Sequence, residues 1–257
     1  MNKRFDKSYK IISNKEVCGG YFELNVDAGN DVIKACAPGL FFMISVPGVF
    51  LRRPISIHNA IDGIISFLYK IAGEGTRKLS EIKTGEISML GPLGSGYPVS
   101  CHEYTSKFFQ DYYPVIVAGG TGIASVYFLA SKLENKGTLF YGARAKKDLL
   151  CLDKFKKLGW KVIVSTEDGS KGYKGLITQI LERRLKTGYT LYMCGPAAMM
   201  KAVIKMAREK NICGYASLEE KMACGIGSCQ GCAVQINGQN KMTCKDGPVF
   251  KIEEIEI

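Results

Sequence analysis

The sequence PVIVAGGTGIAS, residues 114–125, decides the fold class of the second half of the chain. Its first five residues form a short apolar run, which is typical of a parallel strand buried on both faces. The next four, Gly119–Gly122, lead into an apolar stretch with helical character, Ile123–Leu133. A strand that turns through glycines into a helix offers bare backbone amides to a phosphate. The same glycines could also form a tight turn that only packs the helix on its strand.

Short apolar runs and helical stretches keep alternating beyond this turn. Further strands are predicted at Thr138–Gly142, Lys161–Ser165 and Thr190–Cys194, and further helices at Leu149–Leu158, Leu176–Leu185 and Ala197–Lys210. This alternation predicts a Rossmann-like parallel sheet with right-handed crossovers over residues 112–211. Ligands of such sheets bind at the carboxyl ends of the strands, where Cys194-Gly195-Pro196 ends the last predicted strand.

The first hundred residues have a different pattern, with short β-branched or aromatic runs separated by Gly, Pro and Asp. The predicted strands are Tyr9–Val17, Tyr21–Val26, Phe41–Val46, Leu51–Ile57, Ile64–Lys70 and Glu86–Leu90, and one helix is predicted at Thr76–Ile82. Six such strands predict a small antiparallel barrel over residues 1–100. A polar, aromatic connector, roughly Ser100–Tyr112, joins the two halves.

Two segments of the predicted barrel suit an anionic ligand. The strand segment Arg53-Pro54-Ile55-Ser56 carries an arginine, whose planar guanidinium suits phosphate, and a serine that could hydrogen-bond a heterocycle edge. The segment Gly73-Glu74-Gly75-Thr76 again places glycine before a helix. Each segment alone is weak evidence for a ligand site, because an arginine at a strand end and a glycine at a helix start are common.

The composition limits the class of protein. With 46% hydrophobic and 23% charged residues, the 257-residue chain is neither disordered nor fibrous nor a coiled coil. It has no membrane-spanning apolar run and no signal-peptide core, so we expect a cytoplasmic protein. The net charge of +11 fits anionic ligands. Nucleic acid is not favoured, because the basic residues are not interleaved with aromatic ones.

Four of the 10 cysteines lie close together near the end of the chain. They are Cys224, Cys229, Cys232 and Cys244, with the spacing C-x4-C-x2-C and then eleven residues before the fourth cysteine. This spacing matches the plant-type [2Fe–2S] pattern rather than the C-x2-C-x2-C of four-iron sites. Zinc usually pairs two C-x2-C knuckles, and only one such pair occurs here, so zinc and uncoordinated thiols remain weaker alternatives.

In order along the chain, RPIS, GEGT, GPLG, GGTGI and CGP resemble the ferredoxin–NAD(P) reductase superfamily. Residues 217–232 and 244–250 closely resemble the electron-transfer subunits of bacterial NAD-dependent dihydroorotate dehydrogenases. The resemblance covers essentially the whole chain. It implies a six-stranded FAD-binding barrel at 1–100, an NAD-binding domain at 112–211 and a [2Fe–2S] subdomain at 212–257.

The resemblance also implies roles for individual residues. FAD would be held by Arg53 at the pyrophosphate, by Pro54, Ile55 and Ser56 near the ring, by Tyr69, Lys70 and Ile71 along the flavin, and by Gly75 and Thr76 at the phosphates. NAD would contact Gly119, Gly120, Thr121, Gly122, Cys194 and Gly195. The cluster would be bound by Cys224, Cys229, Cys232 and Cys244. One departure is Ala124-Ser125, where many relatives carry proline.

The implied activity is electron transfer in pyrimidine biosynthesis. A separate FMN-containing catalytic subunit would oxidise dihydroorotate, so no catalytic residue is expected in this chain, and two copies of each subunit would form a heterotetramer. NAD is favoured over NADP, because Glu167 and Asp168 would repel a 2′-phosphate, although Lys171 and Lys174 are close by. Alternatives are a flavin and iron–sulfur subunit of a sulfhydrogenase or electron-bifurcating transhydrogenase, and a non-catalytic iron–sulfur redox sensor.

Overall fold

The computed structural model describes residues 3–99 and 113–256. The predicted connector at 100–112 therefore lies outside the described residues. The chain forms two compact units: Met1–Tyr97 with Leu218–Val249, and Pro98–Ser217 with Phe250–Ile257. The cysteine-rich segment thus belongs to the same unit as the N-terminal strands. The three domain boundaries expected from the sequence stay a prediction.

The first unit contains a curled antiparallel sheet of seven strands in the order β4-β3-β7-β1-β2-β6-β5. The strands are β1 Phe5–Cys18, β2 Tyr21–Asp27, β3 Phe41–Ile44, β4 Arg53–Ser56, β5 Asn59–Ile61, β6 Ile64–Lys70 and β7 Glu86–Leu93. Two helices accompany them, α1 Asn30–Ala35 and α2 Glu74–Glu81. Within the described part of the chain, β4 and β5 are the edge strands of this half-barrel.

The antiparallel half-barrel confirms the predicted fold class, and the strand count is corrected from six to seven. The missed strand, β5, has only three residues and ends at the turn Asp62-Gly63, which is too short for an alternating pattern to show. Helix α1 was also missed, since it has six residues and only Val32 is buried. Short elements of this kind are held by their neighbours rather than by local propensity.

Strand β3 is buried on both faces. On one side, the Phe42 ring packs edge-to-face on Phe67, with ring centres 5.7 Å apart. On the other side, Phe41 and Met43 pack with Leu93 and with residues of the cysteine-rich segment. All four residues of β3 are buried, which explains why its sequence FFMI is a continuous apolar run. Each such side chain contributes about 1.5–3 kcal/mol through burial.

The second unit contains a sheet in the order β11-β10-β9-β8-β12-β13-β16. Its strands are β8 Tyr113–Gly119, β9 Thr138–Ala143, β10 Lys161–Thr166, β11 Tyr173–Lys174, β12 Tyr189–Cys194, β13 Gly214–Ser217 and β16 Val249–Lys251. The helices are α3 Ile123–Lys132, α4 Leu152–Lys157, α5 Ile177–Arg184 and α6 Ala197–Glu209. The pairs from β11 through β13 are parallel, as the sequence predicts.

The strand order reverses direction at β8, which lies between β9 and β12. In open α/β sheets, ligands bind at such a reversal, beyond the carboxyl ends of the strands. The sequence missed β11, β13 and β16, which have two, four and three residues. A hairpin of β14 Ala233–Ile236 and β15 Gln239–Met242 lies within the cysteine-rich segment. Among the described residues, no helix combines the length and apolar character that a bilayer crossing requires.

Candidate functional site

Two glycine turns meet at the reversal point of the parallel sheet. Strands β8 and β12 are paired there, with Ala118 opposite Cys194. A Cβ atom on Gly122 would lie 2.1 Å from the Cys194 carbonyl oxygen, and one on Gly195 would lie 2.9 Å from the Gly119 nitrogen. These positions therefore require glycine, because any side chain would force the turns apart. The structure brings together the residues predicted to receive NAD.

Residues Gly120–Gly122 form a short 3-10 turn that runs directly into α3. Gly120 has a φ of +52°, a left-handed conformation that favours glycine. The first amides of a helix have no intrahelical acceptor, so this turn offers donors to a phosphate group. Ala124 and Ser125, which replace the expected prolines, are both buried in α3.

In the first unit, Arg53 of β4 lies against the start of α2. A Cβ atom on Gly75 would lie 2.8 Å from Arg53 Cδ and 3.2 Å from Nε. The Arg53 guanidinium also donates to the Leu51 carbonyl at 2.8 Å and 3.2 Å. The two weak sequence motifs, RPIS and GEGT, are therefore neighbours in space. All four residues of the first motif are half-buried on an edge strand, which leaves a face for a ligand.

Thr76 closes the first turn of α2. Its hydroxyl accepts hydrogen bonds from the amides of Ala72 at 2.9 Å and Gly73 at 3.2 Å, and it donates to the Gly73 carbonyl at 3.1 Å. Because these bonds use the hydroxyl fully, a phosphate at this turn would be bound by backbone amides rather than by the Thr76 side chain.

The three predicted flavin-lining residues at 69–71 have different surroundings. The Tyr69 ring is buried and stacks on Phe22, and its hydroxyl donates to Asn14 Oδ1 at 3.0 Å. Burial raises the pKa of Tyr69 to about 12. Lys70 is exposed with its ammonium over the Tyr21 ring, and the Ile71 amide donates to the Gly20 carbonyl at 2.9 Å. The Tyr69 side chain is therefore packed in the core, so the predicted flavin contact of this residue would be made by its backbone.

The four clustered cysteines form two pairs linked by hydrogen bonds. The Cys229 amide donates to Cys224 Sγ at 3.4 Å, and the Cys244 amide donates to Cys232 Sγ at 3.5 Å. Further amides approach from the glycine-rich loop, with the Gly227 amide 3.1 Å from Cys244 Sγ and the Ile226 amide 3.5 Å from Cys224 Sγ. Amides directed at sulfur stabilise thiolates, which are the form that binds iron.

The two pairs differ in their electrostatics. Burial raises the pKa of Cys224, but hydrogen bonds from the amides of Cys229 and Ile226 outweigh it and lower the pKa to about 6. Burial and the neighbouring Cys232 thiol raise the pKa of Cys244 to about 12. Cys229 is exposed, whereas Cys232 and Cys244 are buried. One pair therefore lies near the surface of the unit and the other inside it.

The donor set fits a two-iron cluster better than a single ion. Cys224 and Cys229 form one hydrogen-bonded pair, and Cys232 and Cys244 form the other. Zinc needs all four thiolates around one ion, whereas a two-iron cluster takes a pair at each iron. Beside Cys244, the buried Thr243 Oγ1 has no hydrogen-bond partner in the described part of the chain.

The cysteine loop is fitted to the half-barrel by a glycine. Gly225 has a φ of +73°, and a Cβ atom there would lie 2.5 Å from Met43 Cγ. Cys232 and Cys244 pack in the same apolar group as Met43, Phe41 and Leu93. Sequence reasoning missed Met43, which packs against the cysteine loop, and Asn14, which accepts a hydrogen bond from the Tyr69 hydroxyl, both from buried positions. They belong to no motif, and only their place in apolar strands could have indicated them.

Two family models match this chain, one at the cysteine-rich segment and one at the parallel sheet. Residues 219–256 match the iron–sulfur cluster binding domain of dihydroorotate dehydrogenase B. Residues 116–205 match the oxidoreductase NAD-binding domain.

Curated relatives cover nearly the whole chain. A protein of Caldanaerobacter subterraneus subsp. tengcongensis named "Dihydroorotate dehydrogenase B (NAD(+)), electron transfer subunit" is 35% identical over 258 residues, which are 98% of this chain and 99% of the relative. A protein of the same name from Clostridium acetobutylicum is 39% identical over 249 residues, covering 96% of this chain and 95% of the relative.

Solved structures share the fold. The structure of an NADH-dependent reduced ferredoxin-NADP oxidoreductase, described with flavin-based electron bifurcation, has a TM-score of 0.84 and 30% identity, covering 96% of this chain and 89% of that chain. A ferredoxin NADP+ reductase from Neisseria gonorrhoeae with bound FAD and NADP has a TM-score of 0.64 at 14% identity, covering 84% of this chain and 94% of that chain. At this identity, the second likeness concerns the fold alone.

Proposed function

Because the chain belongs to the family of electron transfer subunits of dihydroorotate dehydrogenase B (NAD(+)), we propose that it carries electrons between a partner catalytic subunit and NAD+ in pyrimidine biosynthesis. Its cofactors are FAD and a [2Fe–2S] cluster. When bound, the cluster carries single electrons, whereas FAD holds two and exchanges a hydride with the nicotinamide. The protein supplies binding and orientation, and the redox chemistry belongs to the cofactors.

The observation that carries the proposal is the packing of the cysteine loop on β3. Gly225 contacts Met43, and Met43 pairs with Pro54 of β4. Neighbouring strands lie about 5 Å apart. One strand of a single unit therefore separates the proposed cluster ligands from the proposed flavin strand, which favours electron exchange between them.

Each group of residues has a distinct part in the proposal. Arg53 and the first amides of α2 would bind the FAD phosphates, and Ser56 would hydrogen-bond the edge of the flavin ring. The glycine turns at the ends of β8 and β12 admit the nicotinamide nucleotide, because no side chain blocks the backbone there. Cys224, Cys229, Cys232 and Cys244 bind the cluster, and the loop amides stabilise their thiolates.

The loop after β10 supports a preference for NAD over NADP. Asp168 Oδ1 accepts hydrogen bonds from the Ser170 hydroxyl at 2.6 Å and the Ser170 amide at 2.9 Å. These bonds hold the pKa of Asp168 below its usual value, so the exposed carboxylate stays charged. A 2′-phosphate facing it would be repelled. We expect a larger kcat/KM for NADH than for NADPH in steady-state assays.

The partner that we propose is an FMN-containing catalytic subunit, in a heterotetramer of two copies of each chain, located in the cytoplasm. The exposed Cys229 and Ile226 support a docking site at the cysteine loop, because they place the outer cysteine pair at the surface of the unit. Co-purification from the native host tests this. An FMN-containing barrel subunit should be recovered, and recovery of a hydrogenase or a larger flavoprotein instead would overturn the choice of partner.

The experiment for the function itself is rapid mixing of the purified chain with NADH. Acid extraction should first give one FAD and two irons per chain. Flavin absorbance should then bleach before cluster absorbance, because the hydride goes to FAD. Iron–sulfur absorbance without flavin, and no NADH oxidation with an artificial acceptor, would support a redox sensor instead.

A second candidate is a flavin and iron–sulfur subunit of an electron-bifurcating transhydrogenase. This second function is supported by the similarity to the bifurcating oxidoreductase, which has a TM-score of 0.84 and covers 96% of this chain. The two functions differ in their partner. Only the first predicts that dihydroorotate, added with the co-purified subunit, reduces the cofactors of this chain.

A further inference from the structure

A buried tyrosine hydroxyl lies beneath the nucleotide-binding turn. Tyr141 is in the middle of β9 and is fully buried. Its hydroxyl lies 3.0 Å from the Gly120 carbonyl oxygen and 3.0 Å from the Asp148 carbonyl oxygen. The Leu150 amide approaches the same hydroxyl at 3.4 Å. Tyr141 thus connects the turn after β8 with the loop after β9.

These contacts fix the direction of one peptide bond. The carbonyl of Gly120 points at the Tyr141 hydroxyl, and in a planar trans peptide the N–H of the next residue points the opposite way. The Thr121 amide is therefore directed away from Tyr141. Gly120 has a φ of +52° and no atom within 4 Å of where its Cβ would lie, so no side chain packs against it on that side. The Tyr141 hydroxyl adds a side-chain restraint on this peptide to the backbone bonds of the 3-10 turn.

We propose that Tyr141 is a positioning residue for the nicotinamide dinucleotide. By holding the Gly120 carbonyl, it keeps the Thr121 amide available to the pyrophosphate of NAD. By contacting Asp148 and Leu150, it also sets the place of the 144–151 loop beside that turn. The inference rests on the proposed function, since it deepens the role of the same nucleotide site.

The test is Tyr141→Phe in the FAD- and cluster-loaded chain. Removing the hydroxyl takes a side-chain donor from the part-buried Gly120 carbonyl and gives the peptide more freedom to turn. We expect KM for NADH to rise about tenfold, with kcat nearly unchanged, because the hydroxyl acts on binding and not on hydride transfer. The dissociation constant of ADP-ribose, measured by calorimetry, should rise by the same factor.

Tyr113→Phe is the matched control. Tyr113 lies at the start of β8 in the same sheet, and its hydroxyl is 2.8 Å from Thr138 Oγ1. The variant loses the same group at the opposite end of the strand, so KM for NADH should stay within twofold of the original value. Equal KM values for the parent and Tyr141→Phe, or equal rises in the two variants, would overturn the proposal.

A second substitution keeps the test decisive if Tyr141→Phe also lowers stability. Gly120→Ala strains the same peptide from the other side, because alanine disfavours its positive φ. The effects of Tyr141→Phe and Gly120→Ala on log KM should be less than additive, whereas Tyr113→Phe and Gly120→Ala should be additive. Full additivity in the first pair would contradict the proposal. Absence of NADH oxidation by the parent chain would instead refute the proposed function.

Discussion

At the scale of the residue, two glycines decide where cofactors can be held. Gly75 leaves room for the Arg53 side chain at the start of α2, and Gly225 leaves room for Met43 beneath the cysteine loop. In each case a single methyl group would occupy the space of a neighbouring side chain. The two positions therefore allow the FAD and cluster predictions to be tested separately.

Gly75→Ala should weaken FAD binding about tenfold, because a Cβ atom 2.8 Å from Arg53 Cδ displaces the guanidinium from the helix start. Alanine raises helix propensity, so the chain should not unfold more easily. The control is Gly73→Ala, where the backbone is extended and no atom lies within 4 Å of the new Cβ. Flavin fluorescence titration measures the FAD affinity of both variants. Equal losses of FAD affinity would exclude Arg53 as the cause.

Gly225→Ala should lose most of its iron, because the new methyl group would lie 2.5 Å from Met43 Cγ and push the loop off β3. Gly238→Ala is the control, since its φ of +72° is nearly the same and nothing lies within 4 Å of the Cβ position. Both variants have the same backbone strain, of about 1 kcal/mol. Iron content per chain separates them, and similar iron loss in both would indicate strain rather than the Met43 contact.

At the scale of the element, α2 is anchored at its C-terminal end by Asn14 of β1. The Asn14 amide donates to the carbonyls of Leu79 at 2.7 Å and Ile82 at 2.9 Å, and its Oδ1 accepts from Tyr69. Lys83 adds a bond to the Asn14 carbonyl at 3.2 Å. These contacts give the carbonyls at the helix end side-chain donors and fix the direction in which its N-terminus points.

Asn14→Ala should lower the free energy of unfolding by about 3 kcal/mol, because two carbonyls and a tyrosine hydroxyl lose buried partners. FAD affinity should fall as well, since the helix start moves. Asn25→Ala is the control, because the half-buried Asn25 side chain bonds to the hydroxyls of Ser13 and Ser66 rather than to a helix end. In urea unfolding, the free energy of unfolding of that variant should fall by about 1 kcal/mol. Unchanged FAD affinity in Asn14→Ala would exclude a positioning role for this anchor.

The sequence predicted long elements well and short ones poorly. Strands β2, β6, β8, β9 and β12 and helices α3 and α6 match the predicted bounds to within one residue, because periodicity and glycine turns identify them. Strand β1 begins at Phe5, four residues before its predicted start. Helix α4 begins at Leu152 rather than Leu149, since Lys146–Asp148 form a short 3-10 turn and Cys151 has a φ of +58°. Strands β5 and β11 depend on neighbours that pattern reasoning does not show.

At the scale of the whole molecule, the first unit combines two segments that are far apart in the chain. Residues 218–249 belong with residues 1–97. From the sequence, we expect the four cysteines to bind a cluster within a separate subdomain at 212–257. The sequence contains no sign that Cys232 and Cys244 would pack on β3, because such a contact joins residues about two hundred positions apart and leaves no local pattern.

A chain that ends at Ser217 should fail to form a stable half-barrel. Without residues 218–249, the Phe41 and Met43 side chains on the outer face of β3 become exposed. We expect aggregation and loss of FAD, because exposed apolar strands pair with other chains. Light scattering measures the aggregation, and the flavin content per chain measures the loss of FAD. A monomeric, FAD-containing truncated protein would instead support an independent subdomain at 212–257.

The split of the first unit sets an order of events during synthesis. About 120 residues separate its two parts, so at bacterial elongation rates the ribosome needs on the order of ten seconds between them. Throughout that interval, the nascent half-barrel lacks the cover of β3 and the ligands for iron. Insertion of the iron–sulfur cluster must therefore wait until Cys224, Cys229, Cys232 and Cys244 have all been synthesised, long after the strands on which their loop packs.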